Sequence, residues 1–259
     1  MKNKDIFTFR DAEKQAGPVA FSTMLKPAGS ACNLDCHYCY YLDKAVQYGG
    51  KQAVMSDELL ELYVKQYIGA NDVDTVQFCW HGGEPLLLGV DFYRRAMAFQ
   101  QKYADGKRIE NTLQTNGTLV DEAWCDLFAG NNFLVGISLD GPQDIHDTFR
   151  LTKGGKPTFE RVMQTISMFQ RSSVEYNTLS VVNRLCEGRG GEIYRFFRDT
   201  VHSRYMQFLP AVEHVVDKPG FHRPLIVSPE REGARLAEWS VTAGGYGQFL
   251  CDVFDEWVV

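Results

Sequence analysis

Short apolar runs and longer helical stretches alternate along this chain of 259 residues, and that alternation limits the folds open to it more than any other feature. Six runs with strand character cover residues 20–25, 75–80, 110–114, 134–139, 176–182 and 205–209. Helical apolar spacing lies between them, near 56–68, 91–103, 121–128, 158–171 and 191–200. In the first of these, Ser56 stands as a capping residue ahead of Leu59, Leu60, Leu62 and Tyr63 at helical period. Repeated strand–helix units predict parallel strands with helices outside them, an α/β fold. A chain of this length, 44% hydrophobic, suffices for one barrel of that kind.

In parallel α/β barrels the chemistry collects at the C-terminal ends of the strands. The polar and glycine-rich segments fall there. Cys32–Cys39 follow the first run, His81-Gly82-Gly83-Glu84-Pro85 the second, and Gln114-Thr115-Asn116-Gly117 the third. Asp140-Gly141-Pro142 follow the fourth and Asn183 the fifth.

Cys32, Cys36 and Cys39 have the spacing C-x3-C-x2-C. Three thiolates converge on one centre and leave a position unclaimed. A [4Fe–4S] cluster takes one cysteine per iron, so three local ligands leave the fourth iron open to a reacting molecule. Structural zinc is the competing reading, with His37 or a distant residue as fourth ligand. Zinc sites favour paired C-x2-C knuckles, whereas Cys79, Cys125, Cys186 and Cys251 are scattered singly.

With the aromatic Tyr38 between the second and third cysteines, the motif resembles that of the radical S-adenosylmethionine (SAM) enzymes. The resemblance implies a partial (β/α)6 TIM-like barrel, a [4Fe–4S] cluster on Cys32, Cys36 and Cys39, and SAM chelated to the open iron. One electron then breaks a carbon–sulfur bond and yields a 5′-deoxyadenosyl radical. On the same basis Gly83 and Glu84 meet the SAM amine, where a glycine backbone approaches closely and a carboxylate accepts charge-assisted hydrogen bonds. Ser138 and Arg150 take the SAM carboxylate or ribose, since a guanidinium fork matches a carboxylate. Asp140 lines the same pocket, Tyr38 lies near the adenine, and Val212 supplies backbone to the adenine edge. Gln114 and Asn116 face substrate or SAM, with an ordinary satisfied turn as the alternative.

Three longer segments resemble the anaerobic sulfatase-maturating enzymes: Cys32 through Leu42, Phe78-Cys79-Trp80-His81-Gly82-Gly83-Glu84-Pro85-Leu86, and Leu113-Gln114-Thr115-Asn116-Gly117-Thr118-Leu119. That group oxidises a cysteine or serine of a sulfatase to Cα-formylglycine without oxygen. The resemblance implies a sulfatase polypeptide as substrate and an electron donor such as a flavodoxin or ferredoxin. It also implies two further [4Fe–4S] clusters, in a cysteine-rich SPASM domain that follows the barrel. Only Cys186 and Cys251 lie beyond residue 125, too few for even one such cluster. The expected division is therefore a core barrel over 1–225 and a helical segment over 226–259 that leads into a missing domain. No catalytic residue is assigned, because the general base is expected beyond residue 259. Related peptide maturases and a non-catalytic iron–sulfur regulator remain alternatives.

Net charge of −6 without a dense basic block argues against nucleic acid. No signal-peptide core follows Met1–Asp5 and no apolar stretch spans a bilayer, so a cytoplasmic protein free of membrane is expected.

Overall fold

The computed structural model describes residues 20–41, 54–217 and 224–259, together with 8 and 10. Met1–Asp5 and Leu42 lie outside them. The elements run β1 (Met24–Leu25), α1 (Asp57–Ala70), β2 (Thr75–Trp80), α2 (Val90–Tyr103) and β3 (Arg108–Thr115). Then come α3 (Glu122–Gly130), β4 (Leu134–Ser138), α4 (Gln143–Phe149), α5 (Phe159–Arg171) and β5 (Glu175–Val182). The helix α6 (Gly190–Arg195) passes into a π-helical turn over Phe196–Thr200 before β6 (Met206–Pro210). All six strands pair in parallel and in sequence order, and among the described residues nothing joins β6 back to β1. This is the open, partial barrel that six strand–helix units imply.

Each strand sorts its residues by period two. Val76, Phe78 and Trp80 of β2, Leu113 of β3, and Val135 and Ile137 of β4 face the helices and are buried with Leu60, Val64, Phe128 and Ile166. Capping side chains start the helices: Ser56 accepts from the Leu59 N–H at 3.3 Å, and Asp121 from the Trp124 N–H at 3.2 Å.

Several elements depart from expectation. The first run shrinks to the two residues of β1, which among the described residues pairs only with β2. The stretch 191–200 is one turn and a half of α-helix followed by a π turn. Within 226–259, expected as helical, two short strands complete an antiparallel sheet of β7 (His214–Val216), β8 (Leu225–Val227) and β9 (Arg235–Leu236). The boundary at 225 thus falls inside β8.

The helix α7 (Ala243–Trp257) is capped by Thr242, whose hydroxyl accepts from the Gly245 N–H at 3.0 Å. Its apolar stripe divides. Phe249 is buried in the main core, 5.3 Å from the Phe208 ring, and Tyr246 donates to the Phe208 carbonyl at 3.2 Å. Leu250, Phe254 and Trp257 face outward.

Candidate cofactor site at the open end of the barrel

The cysteine loop is fastened on two sides. The Asp35 N–H donates to the Leu151 carbonyl at 2.8 Å and the His37 N–H to the Phe149 carbonyl at 3.0 Å. Leu34, Cys36, Tyr38 and Phe149 form a small apolar cluster apart from the main core. On the other side, the Gly83 N–H donates to the Gly29 carbonyl at 2.9 Å and the Glu84 N–H to the Ala31 carbonyl at 2.7 Å. The two loops lie so close that a Cβ on Gly83 would sit 2.1 Å from the Ala31 oxygen. Gly82, at φ 130°, has the backbone that makes this approach possible.

These loops enclose a cavity of about 310 Å³ at the C-terminal ends of the strands. Cys32, Cys36, Cys39, Tyr38, Gly83, Gln114, Asn116, Ser138 and Arg150 all line it. Residues separated by more than 100 positions in sequence are thereby brought to one centre. Gln114 reaches across β4 and donates to the Ser138 hydroxyl at 3.1 Å. Gly136 leaves the room, since a Cβ there would lie 2.0 Å from the Gln114 Oε1.

Three expected residues stand elsewhere. Glu84 is fully buried behind the wall, where its carboxylate accepts from the Thr115 hydroxyl (2.8 Å), the Asn116 N–H (2.8 Å) and the Leu86 N–H (3.0 Å). It ties the glycine loop to the end of β3 and does not line the cavity. Burial pushes it up to about 7, against the lowering effect of those bonds. Asp140 is likewise fully buried. It accepts from Arg150 Nε at 3.0 Å, from the Val181 N–H at 3.1 Å and, through a very short contact, from the Tyr38 hydroxyl. Val212 is 57% exposed and outside the cavity wall. Ala211, just before it, is clamped between the Val182 carbonyl and the Val241 N–H. Pro210 and Glu213, on either side of these two, line the cavity instead.

Arg150 is presented by Asp140. Burial works against its charge, but Asp140, Tyr38 and Cys36 outweigh that and hold the guanidinium protonated. The guanidinium carbon lies 5.6 Å from the Tyr38 ring centroid, a cation–π contact. Behind them, His146 Nδ1 accepts from the Asp140 N–H at 3.4 Å, and its Nε2 lies 3.0 Å from the Thr158 hydroxyl. Burial lowers His146 to about 4, so the ring is neutral.

Burial raises the Cys32 thiol to about 11 and the Cys36 thiol to about 12, the latter opposed by Arg150. A metal centre must displace those protons, and a donor set of three desolvated thiols suits iron–sulfur ligation. Among the described residues, no group of His, Cys, Asp and Glu is close enough to hold a single metal ion. His37 is exposed, packs edge-on to Phe149 and does not line the cavity. The three thiols line one cavity, and three cysteine ligands match a [4Fe–4S] cluster with one iron left open.

The motifs did not reveal every lining residue. Leu179 and Val181 come from β5, and Glu213 is the one carboxylate in the wall among the described residues. Burial raises Glu213, and its Oε2 accepts from the Trp239 indole at 3.3 Å. Its only sequence signal is its place just past the sixth run.

Several known proteins are similar to this chain over most of its length. A serine-type anaerobic sulfatase-maturating enzyme of Bacteroides thetaiotaomicron is 46% identical over 91% of the chain and 56% of its own length. A cysteine-type enzyme of Clostridium novyi is 37% identical, over 92% and 60%. The solved structure of native anSMEcpe with bound AdoMet and the Cp18Cys peptide superposes with a TM-score of 0.78 at 32% identity, covering 92% of this chain and 60% of that one. The chain thus spans somewhat more than half the length of these relatives. The family model of the radical SAM superfamily matches residues 27–185, from the turn before Cys32 to the end of β5 and just beyond, so the chain belongs to the radical SAM superfamily.

Proposed function

We propose that this chain carries the radical centre of an oxidoreductase that converts a cysteine or serine of a sulfatase polypeptide to Cα-formylglycine. The observation that carries the reading is the convergence of Cys32, Cys36, Cys39, Gly83, Ser138 and Arg150 on one cavity, in a chain 46% identical to a serine-type maturating enzyme. Cys32, Cys36 and Cys39 would hold a [4Fe–4S] cluster, and Gly83, Ser138 and Arg150 would hold SAM. When bound, cluster and SAM supply a one-electron cleavage that generates a hydrogen-abstracting carbon radical.

The chain's own residues do the positioning. Arg150, fixed by Asp140, offers its remaining guanidinium N–H groups to a carboxylate. The backbone at Gly83, held against the cysteine loop, lines the cavity where it would accept a hydrogen bond from an amine. Ser138, oriented by Gln114, offers its hydroxyl to a ribose or carboxylate oxygen. Glu213 is placed to accept a proton or a hydrogen bond at the rim.

The electron would come from a small redox protein such as a flavodoxin or ferredoxin. The absence of a dense basic block supports a peptide over a nucleic acid partner. Among the described residues no helix is long and apolar enough to cross a membrane, which is compatible with a cytoplasmic site of action.

The test is anaerobic reconstitution followed by SAM, dithionite and sulfatase peptides deuterated at the target Cβ. Deuterium should appear in 5′-deoxyadenosine. Cleavage of SAM without isotope transfer overturns the peptide reading. A brown protein that never cleaves SAM instead supports an iron–sulfur regulator.

A further inference from the structure

The side-chain amide of Asn116 is locked in one orientation. Its Oδ1 accepts from the Thr118 N–H at 2.9 Å and from the Thr118 hydroxyl at 2.7 Å. Its Nδ2 donates to Asn33 Oδ1 at 2.9 Å. Asn33 is itself pinned, because its Nδ2 donates to Thr118 Oγ1 at 2.8 Å. Exchanging oxygen and nitrogen on Asn116 would set an NH2 group against the Thr118 N–H, so the network decides the assignment. The NH2 group therefore lies on the side of Cys32, with Nδ2 3.8 Å from Sγ. The same sulfur accepts from the Leu34 N–H at 3.4 Å. Asn116 is also held through its backbone, which donates to Glu84 Oε2 at 2.8 Å, and the residue is buried.

So many constraints leave Asn116 little freedom to follow a peptide. We infer that Asn116 tunes the cluster: its amide donates to the sulfur of Cys32 and raises the reduction potential, and it does not serve as a substrate contact. A ligating cysteine carries negative charge on sulfur, and a donor to that sulfur favours the reduced, more negative state over the oxidised one. Hydrogen bonds to the sulfurs are among the levers that set such potentials. The inference rests on Cys32 being a cluster ligand, as proposed above.

The experiment reconstitutes the chain anaerobically, quantifies iron and sulfide, and measures the midpoint potential by EPR-monitored redox titration without SAM. Asn116→Ala should shift the reduction equilibrium toward the oxidised cluster roughly tenfold, about 59 mV for one electron. Asn116→Asp, which replaces the donor by a negative charge, should shift it further. Thr118→Val removes one of the bonds that hold the amide and should give a smaller shift of the same sign. An unshifted potential in Asn116→Ala at full iron content overturns the inference, even where peptide affinity falls. If Asn116→Ala loses its iron, an unshifted potential in Asn116→Asp or Thr118→Val overturns it equally. Absence of iron from the unaltered chain removes the ligand assignment itself, which separates the two failures.

Discussion

Glu84 and Asp140 are both fully buried, both absent from the cavity lining, and both lie in loops that follow barrel strands, yet their partners differ in kind. Glu84 meets only neutral donors: two backbone N–H groups and the Thr115 hydroxyl. Asp140 meets the Arg150 guanidinium, along with the Tyr38 hydroxyl and the Val181 N–H. Neutral donors do not offset the full cost of burying a charge, and Glu84 is pushed up to about 7. A buried cation, the Arg150 guanidinium at 3.0 Å, does offset it. One carboxylate is a latch between loops that titrates near neutrality. The other holds Arg150 by its Nε and aims the guanidinium into the cavity.

The sharpest way to break this contrast is to remove the cation. Arg150→Ala leaves Asp140 buried without its counter-charge, and removing one partner of a buried pair costs about 3–5 kcal/mol. Urea unfolding should report a loss of that size, along with weaker SAM binding at normal iron content. The double variant Asp140→Asn, Arg150→Ala should recover part of the loss, because the orphaned charge is gone. A single-variant cost below about 1 kcal/mol would show that Asp140 does not depend on Arg150.

The contrast also shows what the sequence could and could not reveal. Trp80, Phe78 and Val76 announced β2 by alternation and β-propensity, and the helix after Ser56 by its cap and spacing. Strands of two or three residues, such as Leu225–Val227 and Arg235–Leu236, are too short to carry a period. The seven-residue helix Gln143–Phe149 begins at Pro142 without a side-chain cap, so neither period nor cap marked it. At the site, the motifs singled out Cys32, Cys36, Cys39, Gly83, Ser138 and Arg150, and the fold brings all six to one cavity. They did not say which way a carboxylate turns. Glu84 faces inward because three donors from residues 86, 115 and 116 wait there, a fact of tertiary structure. The same holds for Val212 and Glu213, whose places depend on where Ala211 is clamped.

A second prediction uses pH. Glu84 is raised from 4.5 to about 7, so its contribution to stability is fully present below pH 4.5 and is lost as pH rises through 7. His146, behind Asp140, is lowered from 6.5 to about 4, so its contribution is present above pH 6.5 and is lost as pH falls through 4. Each shift corresponds to about 3 kcal/mol, with opposite sign over nearly the same window. The unaltered, SAM-free chain should therefore show a nearly flat stability between pH 4.5 and 6.5. Glu84→Gln should unmask a rise with pH, and His146→Gln a fall. Parallel curves for all three proteins would mean that neither group titrates on unfolding.

The smallest effect separates the two carboxylates most directly, because it removes one neutral hydroxyl from each. Thr115→Val deletes a donor to Glu84, and Tyr38→Phe deletes a donor to Asp140. Each hydroxyl contributes about 1.5–3 kcal/mol when its acceptor is charged. At pH 8 Glu84 is largely ionised in the folded chain and needs every donor. At pH 5 it is protonated, the charge is gone, and the Thr115 bond weakens to the neutral value of about 1 kcal/mol. Thr115→Val should thus cost about 1 kcal/mol more at pH 8 than at pH 5, beyond the fixed cost of the Gly117 N–H that also loses its acceptor. The two partners of Asp140 on this side keep their states over the same range. Arg150 keeps its charge throughout, and burial, aided by Asp140, holds the Tyr38 hydroxyl protonated well above this range. Tyr38→Phe should cost the same at both pH values. Urea midpoints at pH 5 and pH 8 measure the difference of differences, in which unfolded-state effects common to both pH values cancel. A pH-dependent cost for Tyr38→Phe would mean that the Asp140–Arg150 pair is not fixed, and a constant cost for Thr115→Val would mean that Glu84 keeps one protonation state across the whole range.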